Sequence, residues 1–292
     1  MSDELNYIEA KTILSRLRGK DNFFGLSYNM NLYRGCQHGC IYCDTRSECY
    51  RVGDISKISV KRNAIDLLRC ELSSKRREKG TIGTGSMNDP YMPVEERSQL
   101  VRCAMQVIAD ARYPVHVITK SKLVMRDYDL LQDIHRTYAA VSFSITTADE
   151  DLARKLEPNA ATTSERFEAM QFLAAKGIYV GVTFMPLLPF INDTQDNVRQ
   201  IVRRAKDAGA SYILPMFGVT LRKGSRDYFY RSLDRSFPAM KNRYEDAFGE
   251  QYICNSPDWK MLNSTFGKEV LYSNIDITMR FFENGNKQLS LF

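Results

Sequence analysis

Residues Tyr33 to Cys49 read Y-R-G-C-Q-H-G-C-I-Y-C-D-T-R-S-E-C, with Cys36, Cys40 and Cys43 at the spacing C-x3-C-x2-C. Three soft thiolates on so short a loop suit iron–sulfur or zinc. A closed structural zinc site needs a fourth protein ligand, usually from a second paired motif further along, and the chain has no second pair. Three thiolates on a [4Fe–4S] cube instead leave one iron without a protein ligand, open to a small molecule. Zinc completed by His38 or Cys49 stands beside this reading as the alternative.

Outward from that loop, β-type runs alternate with amphipathic segments, the pattern of parallel strands joined by crossover helices. It predicts strands near 27–33, 81–85, 115–119, 139–146, 178–185 and 211–217. Pro93 opens a helix striped by Leu100, Ala104, Val107 and Ile108. Thr162-x-x-Glu165 reads as a capping box ahead of Phe167, Met170 and Leu173, and Asp193 as the cap of a helix carrying Val198, Ile201, Val202 and Ala205. Residues 1–26 read as a leader helix on Ile8, Ile13, Leu14 and Leu17, closed by Gly19. Residues 27–220 then hold six βα units, two short of a closed eight-stranded barrel. Residues 221–292, rich in aromatics such as Tyr228, Phe229, Tyr244 and Trp259, read as a helical extension over the barrel mouth or its open edge.

The cysteine spacing, with Tyr42 just before the third cysteine, resembles the cluster loop of the radical S-adenosylmethionine (SAM) superfamily. The wider string from Asn31 to Cys43, N-L-Y-R-G-C-Q-H-G-C-I-Y-C, is similar to its spore photoproduct lyase-like branch. The resemblance implies an α/β fold of the open (β/α)6 partial TIM barrel type. It also implies a [4Fe–4S] cluster on Cys36, Cys40 and Cys43 whose open iron chelates SAM. An electron donor such as flavodoxin or ferredoxin would then drive cleavage of SAM to a 5′-deoxyadenosyl radical. The substrate stays unknown, with damaged DNA the leading candidate.

Other segments join that reading. Thr81 to Tyr91, T-I-G-T-G-S-M-N-D-P-Y, follows the second strand; its glycines allow close backbone approach, and Ser86, Asn88 and Asp89 offer donors and acceptors to a zwitterionic amino acid. The resemblance sets this segment against the methionine part of SAM. It likewise implies Lys120 for the carboxylate, Ser144 for ribose hydroxyls, Tyr42 beside the adenine, and Arg166 in a family-like stretch after Glu157 and Pro158. Gly181 on the fifth strand suits either an adenine slot or plain core. Cys49 is the candidate hydrogen-atom donor. Two positions depart from the lyase: its donor cysteine and the tyrosine after its third cluster cysteine are Ser86 and Asp44 here. A serine O–H bond is too strong to replace a thiol, so SAM cleavage is expected without thymine-dimer lyase activity.

Composition sets the remaining bounds. With 292 residues, 43% of them hydrophobic, the chain has material for one large α/β domain. It has no apolar run long enough to span a bilayer and no leader-like N-terminus. Seven cysteines, three of them clustered, fit a reducing, cytoplasmic setting. A net charge of +6 permits a nucleic-acid partner. The last residues, Gln288, Leu289, Ser290, Leu291 and Phe292, resemble the peptide by which bacterial repair proteins dock on the replication sliding clamp; the same apolar residues also suit packing on the chain's own barrel. A second class of function therefore stands beside the enzyme: a non-catalytic, zinc-stabilised adaptor for the clamp or nucleic acid.

Overall fold

Runs of small, apolar and β-branched residues such as Ala139–Ser144 and Tyr179–Phe184 suit strands covered on both faces, and every residue of these two is buried. The structure, a computed structural model describing residues 5–19 and 21–284, builds them into a seven-stranded sheet. Six strands run parallel and side by side in chain order: β1 (Leu26–Met30), β2 (Thr81–Thr84), β3 (Val115–Thr119), β4 (Ala139–Ser144), β5 (Tyr179–Phe184) and β6 (Tyr212–Pro215). Each overlaps the range expected for it. Leu14–Arg16 pairs antiparallel with the outer edge of β1. The chain is thus an α/β fold with a mostly parallel central sheet.

Helices Ala64–Ser73, Leu100–Asp110, Tyr128–His135, Thr163–Ala175 and Gln195–Asp207 fill the crossovers and share one large core with the strands. The Thr162 capping box forms, with Glu165 returning the bond. The cap of the next helix is Thr194 rather than Asp193: its hydroxyl accepts from Asn197 N at 3.1 Å, while Asp193 accepts from Ser256 Oγ. The helix after Pro93 comes in two pieces, Glu95–Ser98 and Leu100–Asp110, because Gln99 takes a left-handed conformation. That turn carries the Glu95 carboxylate beneath the second piece, where it accepts from Val101 N at 2.9 Å. Arg126 pairs with Glu95 at 2.7 Å, and the Tyr33 hydroxyl donates to it.

The leader helix does not form. Among the described residues of 1–25 there are only the short strands Asn6–Ile8 and Leu14–Arg16, and β1 begins at Leu26. Ile8 and Ile13 are five apart, which breaks the three-and-four spacing of a helical stripe. The Glu71 carboxylate instead takes the N–H groups of Ile13 and Leu14 at 2.8 and 3.0 Å. Beyond β6 lie the helices Ser225–Ser236, Met240–Phe248 and Trp259–Ser273, and an antiparallel pairing of Gly218–Thr220 with Ile253–Asn255 that the aromatic content did not announce.

The two ends of the sheet differ. At the N-terminal ends of the strands, residues 276–284 run across from β6 towards β2. Asp276 bonds Ser211 and Ile213, Arg280 bonds Tyr138 and Tyr179, and the Asn284 amide donates to Lys79 O. The interior there is filled by Tyr179, Tyr212, Met279 and Phe281. Ser142 Oγ joins His116 Nε2 at 2.8 Å and Tyr212 Oη at 2.7 Å. Burial holds the His116 imidazole down at about 3, so this histidine is a neutral structural group. Gly181 belongs to this plug and not to an adenine slot, since a Cβ there would meet the Tyr212 ring at 2.4 Å. Gly181→Ala should therefore cost about 1–3 kcal/mol of stability through overpacking, measured by urea unfolding. Adding Tyr212→Leu should recover part of the loss.

Candidate active site

The cysteine loop has little regular structure, so side chains from elsewhere shape it. Gly35 is left-handed, φ 89°, and a Cβ there would lie 2.7 Å from the carbonyls of Ile55 and Lys57. Cys36 N donates to that Ile55 carbonyl at 2.7 Å, and Ile41 N to Leu156 O at 2.9 Å. At the loop's start the Asn88 amide donates to Tyr33 O at 2.7 Å. In its middle, His38 Nε2 lies 3.0 Å from Asp89 Oδ2, and Asn159 bonds Gln37 O and His38 O at 2.9 and 3.1 Å. Beneath it, Cys40, Ile41 and Tyr42 pack into a second core with Phe229, Tyr244 and Phe248 of the C-terminal helices.

Cys36, Cys40 and Cys43 carry free thiols and line one cavity of about 320 Å³. The cavity opens where β2 to β6 end, the end at which sheets of this architecture place their chemistry. Burial pushes the Cys36 thiol up to about 11, with Asp89 adding to the effect and backbone N–H groups of Asp89 and His38 opposing it. Burial also pushes Cys40 up, against Lys120. Such thiols stay protonated until a metal displaces the proton. Among the described residues, no three of His, Cys, Asp and Glu converge as ligands of a single ion. Three thiols on one cavity match the three protein-held irons of a [4Fe–4S] cluster whose fourth iron stays open.

The structure places the other expected residues unevenly. Ser86, Asn88, Asp89, Lys120, Ser144 and Tyr42 all line the cavity with the cysteines. Ser86 is exposed at its mouth. The Lys120 ammonium lies 5.9 Å from the Tyr42 ring centroid; burial disfavours its charge, but Cys40 and Glu157 outweigh that and raise it. Ser144 Oγ accepts from Thr183 Oγ1 at 3.0 Å, which leaves its own proton to donate. Asp89 is different: its carboxylate accepts from Thr119 Oγ1 at 2.7 Å, Lys120 N at 2.6 Å and Tyr91 N at 2.9 Å besides facing His38. Burial would raise it, yet His38 and these hydrogen bonds hold it down at about 2.

Arg166 and Cys49 do not reach the cavity. The Arg166 guanidinium is buried, 2.5 Å from Glu157 Oε2, and bonds Ser144 O at 2.7 Å and Ala161 O at 2.8 Å. Glu157 also receives the Tyr42 hydroxyl. Burial would raise the Glu157 carboxyl, but Arg166 and then Lys120 keep it below the usual glutamate range. Arg166 thus orients Ser144 and, through Glu157, Tyr42. Cys49 is exposed, its sulfur 3.5 Å from Arg222 Nη1. Sequence reasoning missed Glu157 as a site residue, together with Thr119, Met185 and Met216 of the cavity wall; the Glu-Pro pair next to a family-like stretch was the available signal. Arg166→Met should cost about 3–5 kcal/mol by stranding a buried carboxylate. Arg166→Lys should recover little, because an ammonium cannot span the same acceptors; chemical denaturation checks both.

Comparison with known proteins follows the same lines. A family model described as the radical SAM superfamily matches residues 30–205. An uncharacterized protein of Mycobacterium tuberculosis is 28% identical over 229 residues, 76% of this chain and 67% of its own length. One of Methanocaldococcus jannaschii is 28% identical over 222 residues, 75% of this chain and 81% of its own. Among solved structures, a spore photoproduct lyase variant superposes with a TM-score of 0.68 at 15% identity, over 91% of this chain and 78% of that one. Another, with bound AdoMet and dinucleoside spore photoproduct, gives 0.66 at 16% identity, over 85% and 74%. A radical SAM methyltransferase from Kitasatospora setae gives 0.54 at 12% identity, over 82% and 51%. At these identities the structural likeness speaks for the fold alone.

Proposed function

We propose that this chain, which belongs to the radical SAM superfamily, directs the radical chemistry of that superfamily at DNA. Its membership makes it a radical SAM enzyme, with a [4Fe–4S] cluster and SAM as cofactors and a need for a reductant. A cluster held by Cys36, Cys40 and Cys43 would supply the one-electron reduction that cleaves the sulfonium C–S bond of SAM, giving methionine and a 5′-deoxyadenosyl radical able to take hydrogen from substrate. The observation that carries the assignment to this cavity is that the three cysteines of one loop line it together with Lys120 and Ser144. Nothing about the site favours a zinc-stabilised adaptor.

In this reading residues 27–220 are an open (β/α)6 partial barrel, and the helices Ser225–Ser236 and Met240–Phe248 of the following extension support the cluster loop. Cys36, Cys40 and Cys43 hold the cluster. Lys120 supplies a cation for the SAM carboxylate, Ser144 a hydroxyl for the ribose, and Tyr42 a wall for the adenine. Asn88, whose amide N–H is spent on Tyr33 O, keeps its carbonyl for the amino group, and Ser86 stands at the mouth. DNA as substrate is supported by the net charge of +6, by the fold shared with a lyase seen with a dinucleoside photoproduct, and by Arg222 set against exposed Tyr50 and Tyr252, a cation–aromatic arrangement suited to bases and phosphates. Among the described residues, no fourth cysteine lines the cavity, so the lyase's thiol-dependent step is not part of the proposal. Of the described helices, none is long and apolar enough to cross a membrane.

After anaerobic reconstitution with iron and sulfide, dithionite and SAM should yield 5′-deoxyadenosine. Cys40→Ala should lose cluster absorbance and this product together, whereas Cys49→Ala should retain both; product from Cys40→Ala would sink the assignment. Lys120→Ala should weaken SAM binding about tenfold, the worth of one charge-assisted hydrogen bond of about 1.5 kcal/mol, read by equilibrium dialysis. The clamp reading of Gln288, Leu289, Leu291 and Phe292 lies outside the described residues and rests on the string itself. Truncation after Lys287 should abolish sliding-clamp binding while leaving SAM cleavage intact.

A further inference from the structure

We infer that Asp89, with His38, is the positioning hub that holds the cluster loop against the strand ends and sets the cluster's reduction potential, and that its carboxylate is not a ligand of SAM. The inference rests on the cluster assignment above. Three hydrogen bonds hold the Asp89 carboxylate, from Thr119 Oγ1, Lys120 N and Tyr91 N at 2.6–2.9 Å, and His38 Nε2 faces its second oxygen at 3.0 Å. Buried and bonded on both oxygens, it is turned towards its own protein partners rather than towards a bound ammonium.

Its partners lie on different parts of the fold. His38 is in the cysteine loop between two ligands, Thr119 ends β3, Lys120 follows it, and Tyr91 closes the segment after β2. On its other side His38 meets the loop after Leu156, through Nδ1 facing Asn159 O at 3.3 Å and through its carbonyl, which accepts from Asn159 N. One carboxylate thereby fixes the loop that carries the cysteines relative to the lysine that faces the cofactor. Asp89 and Cys36 also line the same cavity. Nearby net charge is one of the levers that set iron–sulfur potentials. A fixed anion beside the cluster opposes addition of an electron, and removing that anion eases it.

The test uses anaerobically reconstituted enzyme with iron and sulfide counted in every variant. Asp89→Asn keeps the shape and loses the charge. It should load a full cluster, shift the midpoint potential to a more positive value, and weaken SAM binding about tenfold, the effect of misplacing the one charge-assisted contact at Lys120. His38→Leu should weaken SAM binding similarly, and His38→Gln, which keeps an N–H at comparable reach, should restore most of it. Thr119→Val removes one donor without altering charge and should leave the potential unmoved. A wild-type potential in fully loaded Asp89→Asn overturns the inference, as does His38→Gln that binds SAM no better than His38→Leu. If Asp89→Asn fails to fold, the His38 pair decides alone. Wild-type enzyme that loads no cluster would instead remove the underlying assignment.

Discussion

Two buried carboxylates, Asp89 and Glu157, hold the cysteine loop in place, and the chemistry of the site depends on them. A segment built as G-C-Q-H-G-C-I-Y-C has neither helical nor strand hydrogen bonds of its own. Left to itself it would sample many shapes, each at an entropic cost to order. Asp89 grips it through His38, and Glu157 through the Tyr42 hydroxyl. Both acids are stable in the dry interior only because they are compensated, Asp89 by His38 and backbone N–H groups and Glu157 by Arg166. Removing a partner strands a charge, which costs far more than the pair contributes when intact.

The rest of the fold keeps those contacts in register. Parallel strands end together, so the segments after β2, β3 and β4 converge on one cavity. At the opposite end residues 276–284 tie β6 to the segment before β2, and aromatic rings fill the interior. The interior under that strap is thus packed with rings, and the cavity lined by the cysteines opens at the other end of the sheet. The C-terminal helices add a second core directly under Cys40, Ile41 and Tyr42, so they support the loop as much as they cover it.

Much of this was legible in the chain. The cysteine spacing, the six apolar runs and the Thr162 capping box are local patterns, and each leads to one structure. Lys120 and Ser144 could be placed because strand ends and strand period fix which way they face. What failed were choices between partners distant in sequence. Arg166 looked available for a cofactor until Glu157, Ser144 and Ala161 were seen to take its donors. Asp89 resembles a ligand in the sequence, but three hydrogen-bond donors and the His38 ring engage its carboxylate. Gly181 looked like room for a ring, and the ring it admits is Tyr212. The leader helix fails for a different reason: Ile8 and Ile13 stand five apart, off the spacing of a helical face, and the Glu71 carboxylate that anchors Ile13 and Leu14 comes from a helix more than fifty residues later.

The central claim is that one cavity holds the cluster and SAM in contact. Low-temperature electron paramagnetic resonance of the dithionite-reduced enzyme, recorded before and after adding SAM, tests it most directly. Binding of SAM at the open iron predicts a cluster signal whose shape changes on addition, and Lys120→Ala should need more SAM to produce the change. A cluster signal that saturating SAM leaves unaltered would contradict the account.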